Sequence, residues 1–141
     1  MSNTPTGDTT GTDSLSLTGK WALITGAARR VGAEIATTLH AQGAGIAIHY
    51  RGSADQALAL VKELNGRRPG SALAVRADLV QTSQLGGRID ADTAHAGRLD
   101  ILINNASSFY PTPLASLTEN QWTDLIGTNL KAPLFLSQAA A

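Results

Sequence analysis

Four short apolar runs, each followed by a stretch with helical spacing, constrain this chain to few folds. Trp21–Ile24 is apolar and stops at Thr25–Gly26, as a buried strand does. Val31, Ile35 and Leu39 then recur every four residues until Gly43, which predicts an amphipathic helix over 30–42. Residues 46–49 form a second strand. Ser53 with Gln56 three positions on has the pattern of a capping box, and Leu58, Val61 and Leu64 continue as a helical stripe. Arg67, Arg68, Pro69 and Gly70 break that helix, and Ala72–Arg76 is a third strand. A helix follows around 83–95, with Leu85, Ile89 and Thr93 on one face and Gly86 and Gly87 weakening it. The fourth strand covers 99–103. Thr118 and Gln121 make another capping box, Leu117 and Trp122 are spaced as a hydrophobic staple across it, and the last helix is predicted from Glu119 to the chain end.

Strands alternating with helices argue for a parallel sheet covered on both faces. The α/β fold expected is therefore a Rossmann-type sheet, and right-handed crossovers restrict its strand order to 3-2-1-4. Such sheets bind ligands at the carboxyl ends of their strands, where strands 1 and 4 diverge. Apolar residues make up 43% of the 141, enough for a core. A formal net charge of zero gives no case for nucleic acid or an anionic membrane surface, and no apolar run reaches the roughly 18 residues of a membrane span. The absence of cysteine excludes disulfides and thiolate metal sites, and no metal is expected. Residues 1–16 are rich in Ser, Thr and Gly without Lys or Arg, unlike a targeting signal. They read as a disordered tail before a domain over 17–141, and the location expected is cytoplasmic.

The chemistry concentrates at the strand ends. Gly26 permits a tight turn after strand 1, Ala27 and Ala28 let a ligand approach the backbone, and Gly32 lets the helix pack closely. Arg29 and Arg30 in the first helical turn oppose the helix dipole, at a cost of about 0.3–1 kcal/mol each, unless an anion sits there; as plain surface residues they would only be solvated. An NAD site usually carries an acid at the end of strand 2. Here His49, Tyr50, Arg51, Gly52 and Ser53 contain none, so Arg30, Arg51 and Ser53 could surround a ribose 2′-phosphate. Ser53 could equally cap its helix, and His49 could be a buried strand histidine. Asn104 and Asn105 leave strand 4 with amides suited either to sheet-edge backbone groups or to a cofactor ribose. Asn129 lies four residues before Pro133, which cannot donate to its carbonyl, so a kink is expected there and the freed carbonyl needs another donor.

With these residues the sequence resembles the short-chain dehydrogenase/reductase family and, within it, the pteridine reductases. The family opens on Thr-Gly-x-x-x-Gly-x-Gly, and pteridine reductases replace the middle Gly by Arg, as Arg30 does here. Ala77, Asp78 and Leu79 match the stretch whose Asp contacts adenine, although Asp at a strand end also serves as a turn residue. Asn104, Asn105 and Ala106 resemble Asn-Asn-Ala-Gly, and Ser107 in place of that Gly is typical of pteridine reductases. The resemblance implies NADPH as cofactor, held by Gly26, Arg30, Val31, Gly32, His49, Tyr50, Arg51, Ser53, Asp78, Leu79, Asn104, Ala106 and Ser107. It implies a pterin or folate as substrate, bonded by Ser107 and stacked on Phe109, a residue that could instead anchor its loop. It implies that Asn129 holds a water of the proton relay, and that the full-length protein is a homo-oligomer, a tetramer.

Family members carry a Ser after the next strand and a Tyr-x-x-x-Lys pair on the helix beyond. Neither segment lies within these residues, since Tyr50 and Tyr110 lack a Lys four positions on. The chain ends on Ser137, Gln138 and three alanines inside a helical pattern without a stop signal. A truncated protein is expected, inactive alone and poorly stable, with strand 4 as an open edge and Leu125, Leu130, Leu134 and Leu136 uncovered. Another reductase of the family, acting on 3-oxoacyl carriers, and a non-catalytic dinucleotide-binding or oligomerising module are the competing readings.

Overall fold

The computed structural model describes residues 16–141, apart from the His95 side chain. Most of the expected tail therefore lies outside the described residues. Strands β1 (Trp21–Ile24), β2 (Gly45–Tyr50), β3 (Ala72–Arg76) and β4 (Ile101–Ile103) form one parallel sheet in the order β3-β2-β1-β4. The connections are α1 (Arg30–Ala41), α2 (Ala54–Arg67) and α3 (Thr82–Thr93), the last ending in a short 3₁₀ turn, Ala94–Ala96. After β4 come α4 (Glu119–Ile126), a π-helical segment (Gly127–Lys131) and α5 (Ala132–Ala140). This is the Rossmann-type α/β sheet expected, with β4 two residues shorter than the apolar run.

Strand side chains alternate between two cores, as the two-residue strand period requires. Ala22, Ile24, Ile46 and Ile48 pack with Ala36, Ala57, Leu60 and Leu64 on one face. Leu23, Ala47, Leu73 and Val75 pack with Leu79, Leu85, Ile89 and Leu136 on the other. Three apolar positions depart from the predicted stripes. Leu136, expected to be uncovered, is buried in the second core. Leu58 is exposed, because α2 turns Ala57, Leu60 and Leu64 inward instead. Val31 is 66% exposed, because the start of α1 faces a cleft rather than the sheet.

The two capping boxes have different outcomes. Thr118 is extended (φ −107°, ψ 157°), and its Oγ1 accepts from the Gln121 N–H while Gln121 Oε1 accepts from the Thr118 N–H. Ser53 has φ −91° and ψ 54°, outside the extended region a capping residue needs, and its side chain makes no cap bond. Leu117 and Trp122 both remain exposed. Near Pro133 the helix does not simply kink. It widens into the π segment, where the Ala132 N–H donates to Gly127 O, five residues back.

Candidate functional site

The carboxyl ends of β1, β2 and β4 meet around a cleft of about 550 Å³, within the range of small-ligand pockets. Gly26, Arg30, Val31 and Gly32 line it from the first turn and α1, Tyr50 from the end of β2, Arg51 and Ser53 from the loop after it, and Ala106 and Ser107 from the loop after β4. A second hollow of about 600 Å³ shares Arg51 and continues to Arg76, Asp78 and Arg88. The predicted residues at the switch point are thus largely brought together.

Partly buried polar bonds build the turn between β1 and α1. Thr25 Oγ1 accepts from the N–H groups of Asn105 (3.0 Å) and Ala106 (2.9 Å). Asn105 Nδ2 donates to the carbonyls of Thr25 (3.1 Å) and Gly26 (3.3 Å), so its amide satisfies backbone rather than a ribose. His49, 2% exposed, completes the brace from β2. Its Nδ1 accepts the Gly26 N–H (3.0 Å), its carbonyl accepts the Ala27 N–H (3.0 Å), and Nε2 donates to Ala77 O (2.9 Å). These partners fix the neutral Nε2–H tautomer. Burial pushes the imidazole pKa below its usual value, against the opposing pull of the Ala77 carbonyl and Asp78. His49 therefore acts on the cleft through the turn it holds.

Two backbone features mark the turn as specialised. Gly26 has φ +62°, and a Cβ there would come within 3.0 Å of Ala106 Cα. Arg30 is the one non-glycine residue with positive φ (+55°) among the described residues, a left-handed conformation costing about 1–2 kcal/mol in a residue with a Cβ. A strained arginine at a ligand cleft is the kind of site where strain serves function. Arg29 precedes α1 with no side-chain cap, and the first turn holds no acid, so the helix N-terminus faces the cleft with its positive end uncompensated. Neither Arg30 nor Arg51 joins an ion pair among the described residues.

Other expected residues lie off this cleft. Asp78 lines the second hollow, and its Oδ1 accepts the Val80 N–H (3.1 Å) in a turn. Leu79 is buried in the core. Asn104 is exposed, its Nδ2 3.5 Å from Ser137 Oγ. Phe109 is 91% exposed on the loop. The Asn129 side chain clamps that loop: Oδ1 accepts the Ser108 N–H (2.9 Å) and Nδ2 donates to Ser108 O (2.7 Å). Sequence reasoning missed Thr25, Tyr110 and Asp124. Thr25 was signalled only by a hydroxyl at a strand end, and Tyr110 and Asp124 by nothing local, since 14 residues separate them. Among the described residues there is no cluster of three or more His, Asp or Glu side chains able to hold a metal, and no helix long and apolar enough to cross a membrane.

A doubly wound sheet with a glycine turn at its switch point defines a dinucleotide-binding fold. The short chain dehydrogenase family model matches residues 20–141, and the chain belongs to that family. It is 40% identical to pteridine reductase 1 of Leishmania tarentolae, over 85% of this chain and 52% of the relative. It is 36% identical to the 3-oxoacyl-[acyl-carrier-protein] reductase FabG of Staphylococcus aureus (strain Mu50), over 79% of this chain and 45% of the relative. An uncharacterized oxidoreductase of Methylorubrum extorquens is 34% identical over 89% of this chain and 50% of the relative. The chain thus spans about half the length of the curated relatives it matches.

Proposed function

We propose that this chain is the cofactor-binding half of an NADPH-dependent reductase that transfers hydride to a pterin or folate. The observation that carries the cofactor reading is the pair of arginines, Arg30 and Arg51, on one cleft that has no acid at the end of β2. When bound, the dinucleotide supplies the hydride. The residues present fit it: an uncapped helix N-terminus for the pyrophosphate, guanidinium groups for a 2′-phosphate, and a glycine turn that admits close approach. Val31, Tyr50, Ser53, Ala106 and Ser107 would complete the cofactor wall, Asp78 and Leu79 the adenine end, and Asn104 the ribose side. His49 would serve by holding the turn.

The pterin reading rests on the 40% identity to a pteridine reductase together with Ser107 and Phe109 on the loop after β4. The relative named as a 3-oxoacyl reductase supports the second reading, an acyl-carrier substrate. In the full-length protein Asn129 would hold a relay water, and a cytoplasmic homo-oligomer is proposed. The polypeptide 1–141 alone is proposed to be inactive, because neither Tyr50 nor Tyr110 is followed by Lys at the fourth position.

Titrating NADPH and NADH against the wild type and Arg51→Asp tests the cofactor assignment. The wild type should prefer NADPH. The variant should lose about 1.5–3 kcal/mol of NADPH affinity, the range for a hydrogen bond to a charged group, and little affinity for NADH. An unchanged preference removes Arg51 from the site. Turnover of dihydropterin against a 3-oxoacyl thioester by the full-length protein separates the two substrate readings.

A further inference from the structure

Between β4 and α4 the chain runs over a strip in which exposure alternates residue by residue. Ser107, Phe109 and Pro111 are exposed, while Ser108, Tyr110 and Thr112 are partly covered. Exposure that alternates in this way means that one side of the strip packs against the rest of the domain. The holding group on the covered side is Asp124 of α4. Tyr110 Oη donates to Asp124 Oδ2 at 2.8 Å, and the hydroxyls of Ser108 and Thr128 reach Oδ1 at a longer 3.4 Å. Asp124 joins no ion pair among the described residues, so its carboxylate is devoted to hydroxyl donors. By accepting this bond, the Asp124 carboxylate raises the phenol pKa above its ordinary value.

We propose that Asp124, through Tyr110, is a positioning residue that fixes the facing of the 107–110 strip and so presents Ser107 and Phe109 to a flat heteroaromatic substrate. The geometry divides the labour. Asn129 grips the backbone of Ser108 and sets where the strip lies. Asp124 grips the alternate side chains and sets which way it faces. A rotation of the strip about its own length would turn Ser107 away from the cleft it lines and bring Ser108 towards it. Such a rotation breaks the bonds of Tyr110 and Ser108 to Asp124, which makes the carboxylate a lock on the facing of the strip. The presentation of substrate rests on the pterin reading; the locking of the strip does not.

The test uses the full-length protein with Asp124→Ala, Asp124→Asn and Tyr110→Phe. Amide hydrogen exchange over 107–110 should accelerate in Asp124→Ala and Tyr110→Phe. Asp124→Asn should be intermediate, since its amide oxygen still accepts the phenol proton. Folate should bind the Asp124→Ala protein loaded with the oxidised, non-reacting cofactor NADP+ about tenfold more weakly, equal to about 1.4 kcal/mol, with NADPH affinity and melting temperature near wild type. Unchanged exchange in all three variants overturns the proposal, as does a parallel fall in folate affinity, NADPH affinity and melting temperature. A wild type that binds NADPH but no folate sinks the pterin reading separately, and the exchange rates still decide whether Asp124 locks the strip.

Discussion

Arg30 combines two properties that pull against each other at a single residue. It lines the cleft as a cation, and its backbone sits at φ +55°, a conformation glycine adopts without penalty. Arg30→Gly relieves about 1–2 kcal/mol of strain but gives the unfolded chain more freedom, which costs about 0.4–1 kcal/mol. The expected outcome is a stability equal to wild type or up to about 1.6 kcal/mol higher, read by urea unfolding. NADPH affinity should fall by about 1.5–3 kcal/mol in the same variant. A variant that loses stability and keeps its affinity would mean that the arginine serves the fold and not the cofactor. Single-residue chemistry of this kind was only half legible in the sequence. The charge of Arg30 and the lack of an acid after His49 could be read directly. The positive φ could not, because it arises from the path of the turn between β1 and α1.

Among the elements, the turn and α1 depend on one close contact. A Cβ on Gly32 would lie 2.5 Å from Gly26 O, 2.6 Å from Asn105 Nδ2 and 2.8 Å from Ala27 Cα. Two of those atoms are backbone, so the helix must move and the brace made by Asn105 must loosen. Gly32→Ala should cost about 1–3 kcal/mol, the usual range for overpacking, and weaken dinucleotide binding as well. Gly87 is the control: it lies inside α3 with nothing near its Cβ position, so Gly87→Ala should stabilise by about 0.5–1 kcal/mol without touching binding. Thermal melting of both variants decides the matter, and equal effects would refute the packing argument. The elements themselves and their order in the sheet were legible because apolar period and glycine breaks are local signals. Failures came where tertiary structure decides: Ser53 lost its cap to a backbone angle, Val31 faces the cleft instead of the core, and the last helix widened into a π segment.

Across the whole molecule, two buried histidines brace the sheet and its connections at opposite ends. His49 braces the cleft end. At the other end His40 Nε2 lies 2.6 Å from Ser71 Oγ, and Arg68 donates to the carbonyls of His40 (3.1 Å) and Ala44 (2.6 Å), joining α1 to the loop before β3. Burial, with the Arg68 and Arg67 charges behind it, lowers the His40 pKa; burial likewise lowers that of His49. In the unfolded chain both rings take up a proton near pH 6.5, while in the folded protein they stay neutral to lower pH. The unfolded state therefore binds more protons in the interval below 6.5, and stability must fall as pH drops through it. The slope approaches about 1.4 kcal/mol per pH unit for each histidine and vanishes once the folded rings are themselves protonated. Protonation of His49 also removes the acceptor for the Gly26 N–H, so dinucleotide affinity should decline with stability. Urea midpoints are expected to be flat between about pH 7 and 8 and to drop steadily between about pH 6.5 and 5. His49→Asn should reduce the slope by roughly half, because one of the two contributing rings is gone. A midpoint that stays level to pH 5 would mean that both rings are accommodated in their charged form, and His49 would not then be the neutral acceptor that braces the turn.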